Sequence, residues 1–359
     1  MSLYDKLAAL IDDSPVGAPK SDEFIQMLEI LYPPGEVEMA VLLSFARSKK
    51  LEDIAKEAGM SEVEASKILE EMAAKGTIFS KKSGDTRSYK LWPIYAGIFE
   101  YTTLSNKFDP ETHKRLNELW RYYYMKDMVH ELGNTQPPWK RVLPTETAIP
   151  SNEEILPYEV AAELLRTKAR SIALGGCACR EIEENCDRLR ETCLAFDEAA
   201  DFMIEYGLGR KVSVEEALDV LRASEEAGLV HMSSNNKNNL LFMCNCCPCC
   251  CQIFRQYTEF NYPKGINKSS YLAKIEAEAC NGCAICAEKR CPAKAINMID
   301  GIAVMVQEQC IGCGLCVTTC PTKAIALTKR ADTPEVPETL GELGKAAWNN
   351  KKVQRTKEL

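Results

Sequence analysis

The sequence predicts an α+β protein of 359 residues, in which a helix-rich part, a mixed α/β part and a cysteine-rich part follow one another. Three observations lead to this prediction. The N-terminal part has apolar residues at helical spacing and closes with a hairpin pattern, and in the middle short apolar strands run into cysteine loops. The C-terminal part repeats one cysteine pattern. The length is sufficient for two or three domains.

Residues 22–95 are predicted to form the first segment, in which three helices precede a hairpin. Ser61 and Glu64 form a capping box that opens the third helix, and Gly76 ends it. The first two helices are expected at residues 36–45 and 51–58. The third helix is expected to bury five apolar side chains, those of Val63, Ala65, Ile68, Leu69 and Met72.

Strands at residues 77–82 and 87–92 complete this segment, which resembles a winged helix-turn-helix. Because that fold often binds DNA, the hairpin's basic residues would suit phosphate contacts. Residues 61–75, the helix that would enter the major groove, are acidic where hydrogen-bond donors are needed. DNA binding is therefore disfavoured, and protein contacts, including a homodimer through this segment, are the preferred prediction. The basic residues are Lys81, Lys82, Arg87 and Lys90.

Residues 96–150 are predicted to hold one long helix and a linker. Asp109 and Pro110 suit the N-cap and the first turn, and Gly133 is expected to end the helix after Leu132. Several prolines then mark a domain boundary. They are Pro137, Pro138, Pro144 and Pro150.

Residues 151–262 are predicted to form a mixed α/β domain. Ser213 and Glu216 make a second capping box, which opens a helix ending at Gly228. Two short strands are each followed directly by cysteines. The elements expected here are a helix at residues 158–167 and strands at 171–174 and 240–243.

Composition indicates what the cysteines do. The chain has 18 cysteines against 3 histidines and a net charge of −8. The opening residues do not resemble a signal peptide and no run of apolar residues is long enough to span a membrane, so we expect a cytoplasmic protein with reduced thiols. Dense cysteine then indicates metal binding. The acidic balance argues against broad nucleic-acid binding and suits a protein that docks basic patches on redox partner proteins.

Residues 271–328 contain two runs of three cysteines at x2 spacing, each followed by a cysteine before proline. One such loop can hold three corners of an iron–sulfur cubane, and the fourth cysteine then ligates the other cluster. The segment resembles the two-cluster ferredoxins of bacteria, which implies two [4Fe-4S] clusters that relay electrons and have no open iron position. The first run has one residue more than usual before its fourth cysteine. A pair of zinc sites is the alternative. The two ligand sets are Cys280, Cys283, Cys286 with Cys320, and Cys310, Cys313, Cys316 with Cys291.

Ten further cysteines lie in the middle domain, and six of them fall within eight residues. Packing does not explain that density, so we predict a metal centre, either an additional iron–sulfur cluster with ligands from both groups or zinc. Motifs such as Cys177-x-Cys179-Arg180 and Cys244-Asn-Cys246-Cys247 resemble uncharacterised iron–sulfur proteins of anaerobic bacteria and archaea. The predicted ligands are Cys177, Cys179, Cys186 and Cys193, with Cys244, Cys246, Cys247, Cys249, Cys250 and Cys251.

These features predict an iron–sulfur electron-transfer protein or oxidoreductase subunit that relays single electrons to a partner protein. Two alternatives are an iron–sulfur transcription regulator and a reductase whose middle cluster is catalytic. No catalytic residue is predicted, because His113, His130 and His231 are scattered and have no nucleophile near them in sequence. Residues 331–359 are expected to be a partly mobile tail.

Overall fold

A computed structural model of the chain describes residues 1–149 and 160–357. No helix in these ranges is both long enough and apolar enough to cross a membrane. The α-helices are α1 (Leu3–Asp12), α2 (Asp22–Leu31), α3 (Glu36–Ala40), α4 (Leu51–Ala58), α5 (Glu62–Ala74), α6 (Phe99–Leu104), α7 (Pro110–Tyr123), α8 (Val129–Asn134), α9 (Ala161–Lys168), α10 (Ala178–Glu183), α11 (Asp197–Glu205), α12 (Val214–Glu226), α13 (Gln252–Thr258) and α14 (Leu340–Lys357).

The β-strands lie in four antiparallel sheets. They are β1 (Lys49–Lys50), β2 (Ile78–Ser83), β3 (Thr86–Leu91), β4 (Lys140–Val142), β5 (Ile172–Gly176), β6 (Glu191–Phe196), β7 (Arg210–Lys211), β8 (Val230–Ser234), β9 (Phe242–Cys246), β10 (Tyr271–Ile275), β11 (Ile296–Ile299), β12 (Ile302–Met305) and β13 (Ile325–Lys329).

The N-terminal segment contains the expected helices and a hairpin that β1 widens to three strands in the order β1-β3-β2. The capping box at Ser61 and Glu64 forms. Two details of the prediction are wrong. The helix expected at 36–45 ends at Ala40, and Val63 is 81% exposed. Val63 points outward because it lies two positions before the buried Ala65, which is about 200° around an α-helix.

The long helix expected in the second segment is interrupted. Asp109 caps α7 by accepting from the amides of Glu111 and Thr112, as its sequence predicts. A π-helical turn at Tyr124–Met128 then separates α7 from α8, and it buries Tyr124, whose hydroxyl donates to the carbonyl of Gln252. Such bulges are often found near functional sites. Here the bulge contacts the first residue of α13, directly after the second cysteine group.

The middle of the chain is built on a six-stranded sheet in the order β4-β8-β9-β6-β5-β7. The predicted strands at 171–174 and 240–243 appear as β5 and β9, each shifted toward its cysteines. Strands β6, β7 and β8 lie between them along the chain and were not predicted. The helix expected at 158–167 is present from Ala161, and the boundary expected at residues 150 and 151 lies outside the described residues.

The C-terminal part pairs β10 with β13 and β11 with β12. The predicted mobile tail is instead an ordered helix, α14, packed against the N-terminus. The Trp348 indole N–H donates to Asp13 Oδ1 at 3.2 Å, and the buried ammonium of Lys351 donates to the carbonyl of Ser14 at 2.7 Å. Hydrogen bonds therefore connect the C-terminal helix of the described chain to its N-terminal part.

Replacing Lys351 by methionine should lower the free energy of unfolding by about 1–3 kcal/mol, because the carbonyls of Asp12 and Ser14 lose a charged donor in a buried position. Lys345 lies on the same helix but is exposed, so Lys345→Met is the matched control. Urea unfolding of the two variants under anaerobic conditions measures the difference. Equal midpoints would show that the buried lysine does not hold α14 in place.

Candidate functional site

The two C-terminal cysteine runs have the same backbone conformation, as expected of a repeat. The second residue after the first cysteine of each run has positive φ, +73° at Gly282 and +71° at Gly312. Two residues further on, Ala284 and Gly314 are also left-handed. The backbone therefore turns in the same way in both runs, as expected if the two runs serve equivalent sites.

The fourth cysteines are also equivalent. The amide of Ala295 donates to Cys291 Sγ at 3.1 Å, and the amide of Ala324 donates to Cys320 Sγ at 3.2 Å. Each bond joins a cysteine to the residue four positions later. Amide donors stabilise thiolate sulfur and are among the features that set the reduction potential of an iron–sulfur cluster.

The two predicted ligand sets differ in burial. We call Cys310, Cys313, Cys316 and Cys291 the inner set, and Cys280, Cys283, Cys286 and Cys320 the outer set. In the inner run all three cysteines are buried, and burial raises the pKa of Cys313 to about 12. In the outer run Cys283 is exposed. One end of the module therefore faces solvent and the other faces the rest of the protein.

Hydrogen bonds hold the inner run against the rest of the chain. The amide of Thr145 donates to the carbonyl of Cys313 at 2.9 Å, and Ser269 Oγ donates to the carbonyl of Gly312 at 2.8 Å. The guanidinium of Arg330 donates to the carbonyl of Cys310. These contacts fix the position of the inner set relative to the six-stranded sheet, which Thr145 follows in the chain after β4.

The longer loop of the first run provides another attachment. Arg290, directly before Cys291, donates to the carbonyls of Glu225 at 2.9 Å and Glu226 at 3.0 Å. These carbonyls are at the C-terminus of α12, where a cation is favoured by the helix dipole. The unusual loop length thus accompanies a contact between the module and the middle domain.

The ten middle cysteines gather at one end of the six-stranded sheet. Strand β5 ends one residue before Cys177, Cys193 lies on β6 opposite Gly175, and β9 carries Cys244 and Cys246. Cys179 lies on α10, and the remaining cysteines are in the loops that follow α10 and β9. The structure therefore brings together the two groups that are about 50 residues or more apart in sequence, as predicted.

Four of these thiols form a compact group. Cys186, Cys247, Cys249 and Cys250 have all their sulfur atoms within 4.8 Å of one another. The Cys186 sulfur lies 3.9 Å from that of Cys247 and 3.7 Å from that of Cys250. Among the described residues, no other set of three or more histidine, cysteine or acidic ligand atoms lies within that limit. We call this group the four-thiol set.

The other six thiols form a chain of neighbours that we call the six-thiol set. In spatial order they alternate in pKa: it is raised for Cys193, lowered for Cys244, raised for Cys246, lowered for Cys251, raised for Cys179 and lowered for Cys177. The main cause in each case is a hydrogen bond with the next thiol along the chain, one partner donating and the other accepting. These hydrogen bonds link the six sulfurs into one group, and cysteine sulfurs are the ligands of zinc sites and iron–sulfur clusters.

A buried arginine lies between the two sets. Arg180 is fully inaccessible to solvent, and its Nη1 lies 2.9 Å from the carbonyl of Asn245 and 3.8 Å from Cys247 Sγ. Burial opposes its charge, but the sulfurs of Cys177, Cys246 and Cys247 hold its pKa above the ordinary value. No carboxylate of the described residues forms an ion pair with it. The groups that can compensate its charge are therefore the sulfurs of both sets, because a buried unpaired cation is very costly.

Lys140 is the second buried cation. Its ammonium lies 3.3 Å from Cys244 Sγ and 5.0 Å from the centre of the Phe242 ring. Burial opposes the charge, but the sulfurs of Cys244, Cys246 and Cys251 hold the pKa of Lys140 well above its ordinary value. A small cavity borders this edge of the six-thiol set, with lining residues that include Glu100, Tyr101, Leu104, Lys140, Cys193 and Cys244. Burial raises the pKa of Glu100 to about 7.

Sequence reasoning missed Lys140 and Glu100 and noted Arg180 only as part of a motif. The position of Arg180 next to Cys179 was a usable signal. For Lys140 the sequence carries no such signal, since Lys140 lies on a three-residue strand that follows a proline-rich stretch.

His231 also has a role at this site. Its ring nitrogens contact Asn245 Oδ1 at 2.5 Å and Glu225 Oε1 at 3.0 Å. The first contact holds in place the side chain of Asn245, which lies between Cys244 and Cys246 in the sequence.

Comparison with known proteins supports the assignment of the C-terminal module. A family model described as a 4Fe-4S dicluster domain matches residues 272–321, which contain both cysteine runs. The chain thus has an iron–sulfur, ferredoxin-like region at this end. The match is limited to these 50 residues and leaves the middle cysteines outside it. Neither the search of curated proteins nor the search of solved structures gave a match.

Gly312→Ala should reduce the iron bound by the inner set and destabilise the module. A Cβ at this position would overlap Ser269 Oγ and the carbonyl of Tyr271. Gly301→Ala is the matched control, because Gly301 has a similar φ of +78° but nothing within 4 Å of the new atom. Iron and acid-labile sulfide per chain, measured after anaerobic purification, separate the two. Equal iron loss in both variants would mean that backbone strain, not the packed inner loop, controls cluster binding.

Proposed function

We propose that this protein is an iron–sulfur electron-transfer protein, or the electron-transfer subunit of an oxidoreductase. Two [4Fe-4S] clusters in the C-terminal module would supply one-electron redox chemistry, held by the inner and outer sets. A further iron–sulfur centre would be held by the six-thiol set. The observation that carries the proposal is the gradient of burial across the module, from the exposed Cys283 to the buried Cys310 and Cys313.

This gradient favours a direction for electron transfer. The outer set faces solvent, where a partner protein can approach it. The inner set faces the middle domain, and helix α13 lies between it and the six-thiol set. That helix starts directly after Cys251 and advances ~9 Å to Tyr257. The Tyr257 hydroxyl donates to the carbonyl of Gln309 at 2.7 Å, next to Cys310. One short helix therefore connects the two ligand sets.

The six-thiol set is the better candidate for the additional redox centre. It offers more thiols than one ion can use, and Lys140 and Arg180 can compensate the negative charge that thiolates and sulfide bring. A buried cation next to a ligand also favours the reduced state of a centre, because reduction adds negative charge. These features support a centre that accepts electrons.

A reductase with its own catalytic centre is the second candidate, and the cavity beside Cys193 and Cys244 favours it. Lys140 and Glu100 both line this space and both can hold a proton. A small substrate that entered there would find electrons and proton donors together. The cavity therefore supports the proposal that a small substrate is reduced beside Cys193 and Cys244.

The regulator hypothesis receives less support. In a winged helix the hairpin would contact DNA. Here the hairpin of the N-terminal segment is docked on the middle domain. Lys81 pairs with Glu198 at 2.5 Å, and Arg87 pairs with Glu205 at 2.5 Å. Burial lowers the pKa of Lys90, which lies over the Phe79 ring. Three of the four basic residues expected to contact phosphate are thus engaged within the protein, which leaves protein contacts as the proposed role of this segment.

Anaerobically purified protein should contain clearly more than about eight irons per chain, the number that two cubanes hold. EPR of the dithionite-reduced protein should show the two coupled clusters together with a further signal. Cys193→Ser should remove that further signal and leave the coupled pair unchanged. About eight irons and an unaltered spectrum in Cys193→Ser would contradict a redox centre at the six-thiol set.

Lys140→Met should lower the reduction potential of the additional centre by ~60 mV or more, equivalent to ~1.4 kcal/mol for one electron. The buried positive charge 3.3 Å from Cys244 Sγ stabilises the reduced state, and methionine removes it with little change in volume. Lys140→Arg retains the charge and is the control. An EPR-monitored redox titration gives the potentials, and those of the two C-terminal clusters should not change. A uniform shift of all signals would indicate a general structural effect.

A further inference from the structure

The sulfur positions of the four-thiol set are those required around a single metal ion. Zinc binds thiolate at ~2.3 Å, and the edges of a tetrahedron with that radius are ~3.8 Å. The measured sulfur separations are 3.9 Å for Cys186–Cys247, 3.7 Å for Cys186–Cys250 and 3.9 Å for Cys249–Cys250. In a cubane each thiolate binds a different iron, so its ligand sulfurs are held further apart. The four-thiol set is too compact for a cubane.

The local chain geometry also fits a closed site. Cys247 and Cys250 have the C-x2-C spacing found in zinc sites, and a turn brings Cys249 to the same point. Cys186 comes from the loop after α10. The Asn185 side chain donates to the carbonyl of Cys249 at 2.9 Å, which ties the two loops together beside the four sulfurs. All four positions of a tetrahedral ion would then be occupied by protein.

The surroundings suit the charge of such a site. Four thiolates and one divalent ion carry a net charge of −2, and the buried guanidinium of Arg180 lies 3.8 Å from Cys247 Sγ. Arg188, in the same loop as Cys186, donates to the carbonyl of Gly228 at 3.2 Å. The next residue, Leu229, is fully buried and packs with Cys247 and Cys250. The four-thiol set is therefore partly shielded from solvent, and positively charged side chains lie at its edge.

We propose that Cys186, Cys247, Cys249 and Cys250 bind one Zn²⁺ in a closed tetrahedral site, separate from the six-thiol set. The ion has a structural role. It fixes the loop after α10 to the loop after β9, and so holds in place the strand ends that carry Cys177, Cys244 and Cys246. The ten middle cysteines are thus divided between one zinc site and the six-thiol set. This inference does not depend on the redox role of the six-thiol set.

The first test uses the unmodified full-length chain, purified anaerobically. Elemental analysis should give one zinc per chain, and X-ray absorption at the zinc edge should show four sulfur neighbours at ~2.3 Å. This measurement requires no variant to fold. Absence of zinc, or a zinc shell containing nitrogen or oxygen, overturns the proposal. Iron in place of zinc at these four sulfurs would overturn the assignment of the ion.

Variants then locate the ion. Cys249→Ser should lose most of the zinc, whereas Cys249→His should retain it, because histidine is also a zinc ligand. Cys193→Ser, in the six-thiol set, should keep its zinc. Co²⁺ bound in place of zinc should give the ligand-field absorption of a tetrahedral thiolate site in the parent and weaken it in Cys249→Ser. Equal zinc in Cys249→Ser and Cys193→Ser would overturn the assignment. Since zinc is measured independently of cluster EPR, failure here is distinguishable from failure of the proposed electron-transfer function.

Discussion

The middle of this protein depends on one electrostatic constraint: thiolates gathered in the interior must be compensated by positive charge. The six-stranded sheet ends in ten cysteines, and the two buried cations that contact them are Arg180 and Lys140. In the six-thiol set, hydrogen bonds between neighbouring thiols lower the pKa of one partner and raise that of the other. Metal ions would supply the remaining positive charge and convert a crowded set of thiols into ordered ligands. The positions of both cations between or beside the sulfurs suit thiolate ligands, because a buried cation without a counter-charge is very costly.

The C-terminal module is attached to the rest of the chain by hydrogen bonds at both of its runs. Thr145 and Ser269 hold the buried inner run against the sheet, and Arg290, in the loop that follows Cys286 of the outer run, binds the C-terminus of α12. Cys283 of the outer run is exposed, so the module has a solvent-facing side and a protein-facing side. The proposed relay between a partner protein and an internal centre requires such an arrangement. The hairpin of the N-terminal segment is also engaged with the middle domain, through Lys81 and Arg87.

The C-terminal iron–sulfur module could be predicted from sequence, and the family match over residues 272–321 supports it, because cubane chemistry imposes local spacing: three cysteines within seven residues and a fourth before proline. The middle sets could not be divided in this way. Cys186 and Cys193 are seven residues apart but fall into different sets, since one lies in a loop and the other on β6, a strand that the sequence did not reveal. Cys250 and Cys251 are adjacent, yet they too point into different sets. Lys140 lies far along the sequence from the cysteines that it contacts, so no local pattern predicts it. The segment that contains α14 was predicted to be a partly mobile tail, because the contacts of α14 with residues 12–14 are long-range. Long-range packing, not local propensity, decides these features.

The most direct test of the account is a crystal structure of the anaerobically purified protein, with anomalous difference maps recorded at the iron and zinc absorption edges. The account predicts iron at the inner set, the outer set and the six-thiol set, and zinc alone between Cys186, Cys247, Cys249 and Cys250. Iron confined to the C-terminal module, with the six-thiol set free of metal or joined in disulfides, would contradict the central claim that the buried thiols of the middle domain form a redox centre served by the module.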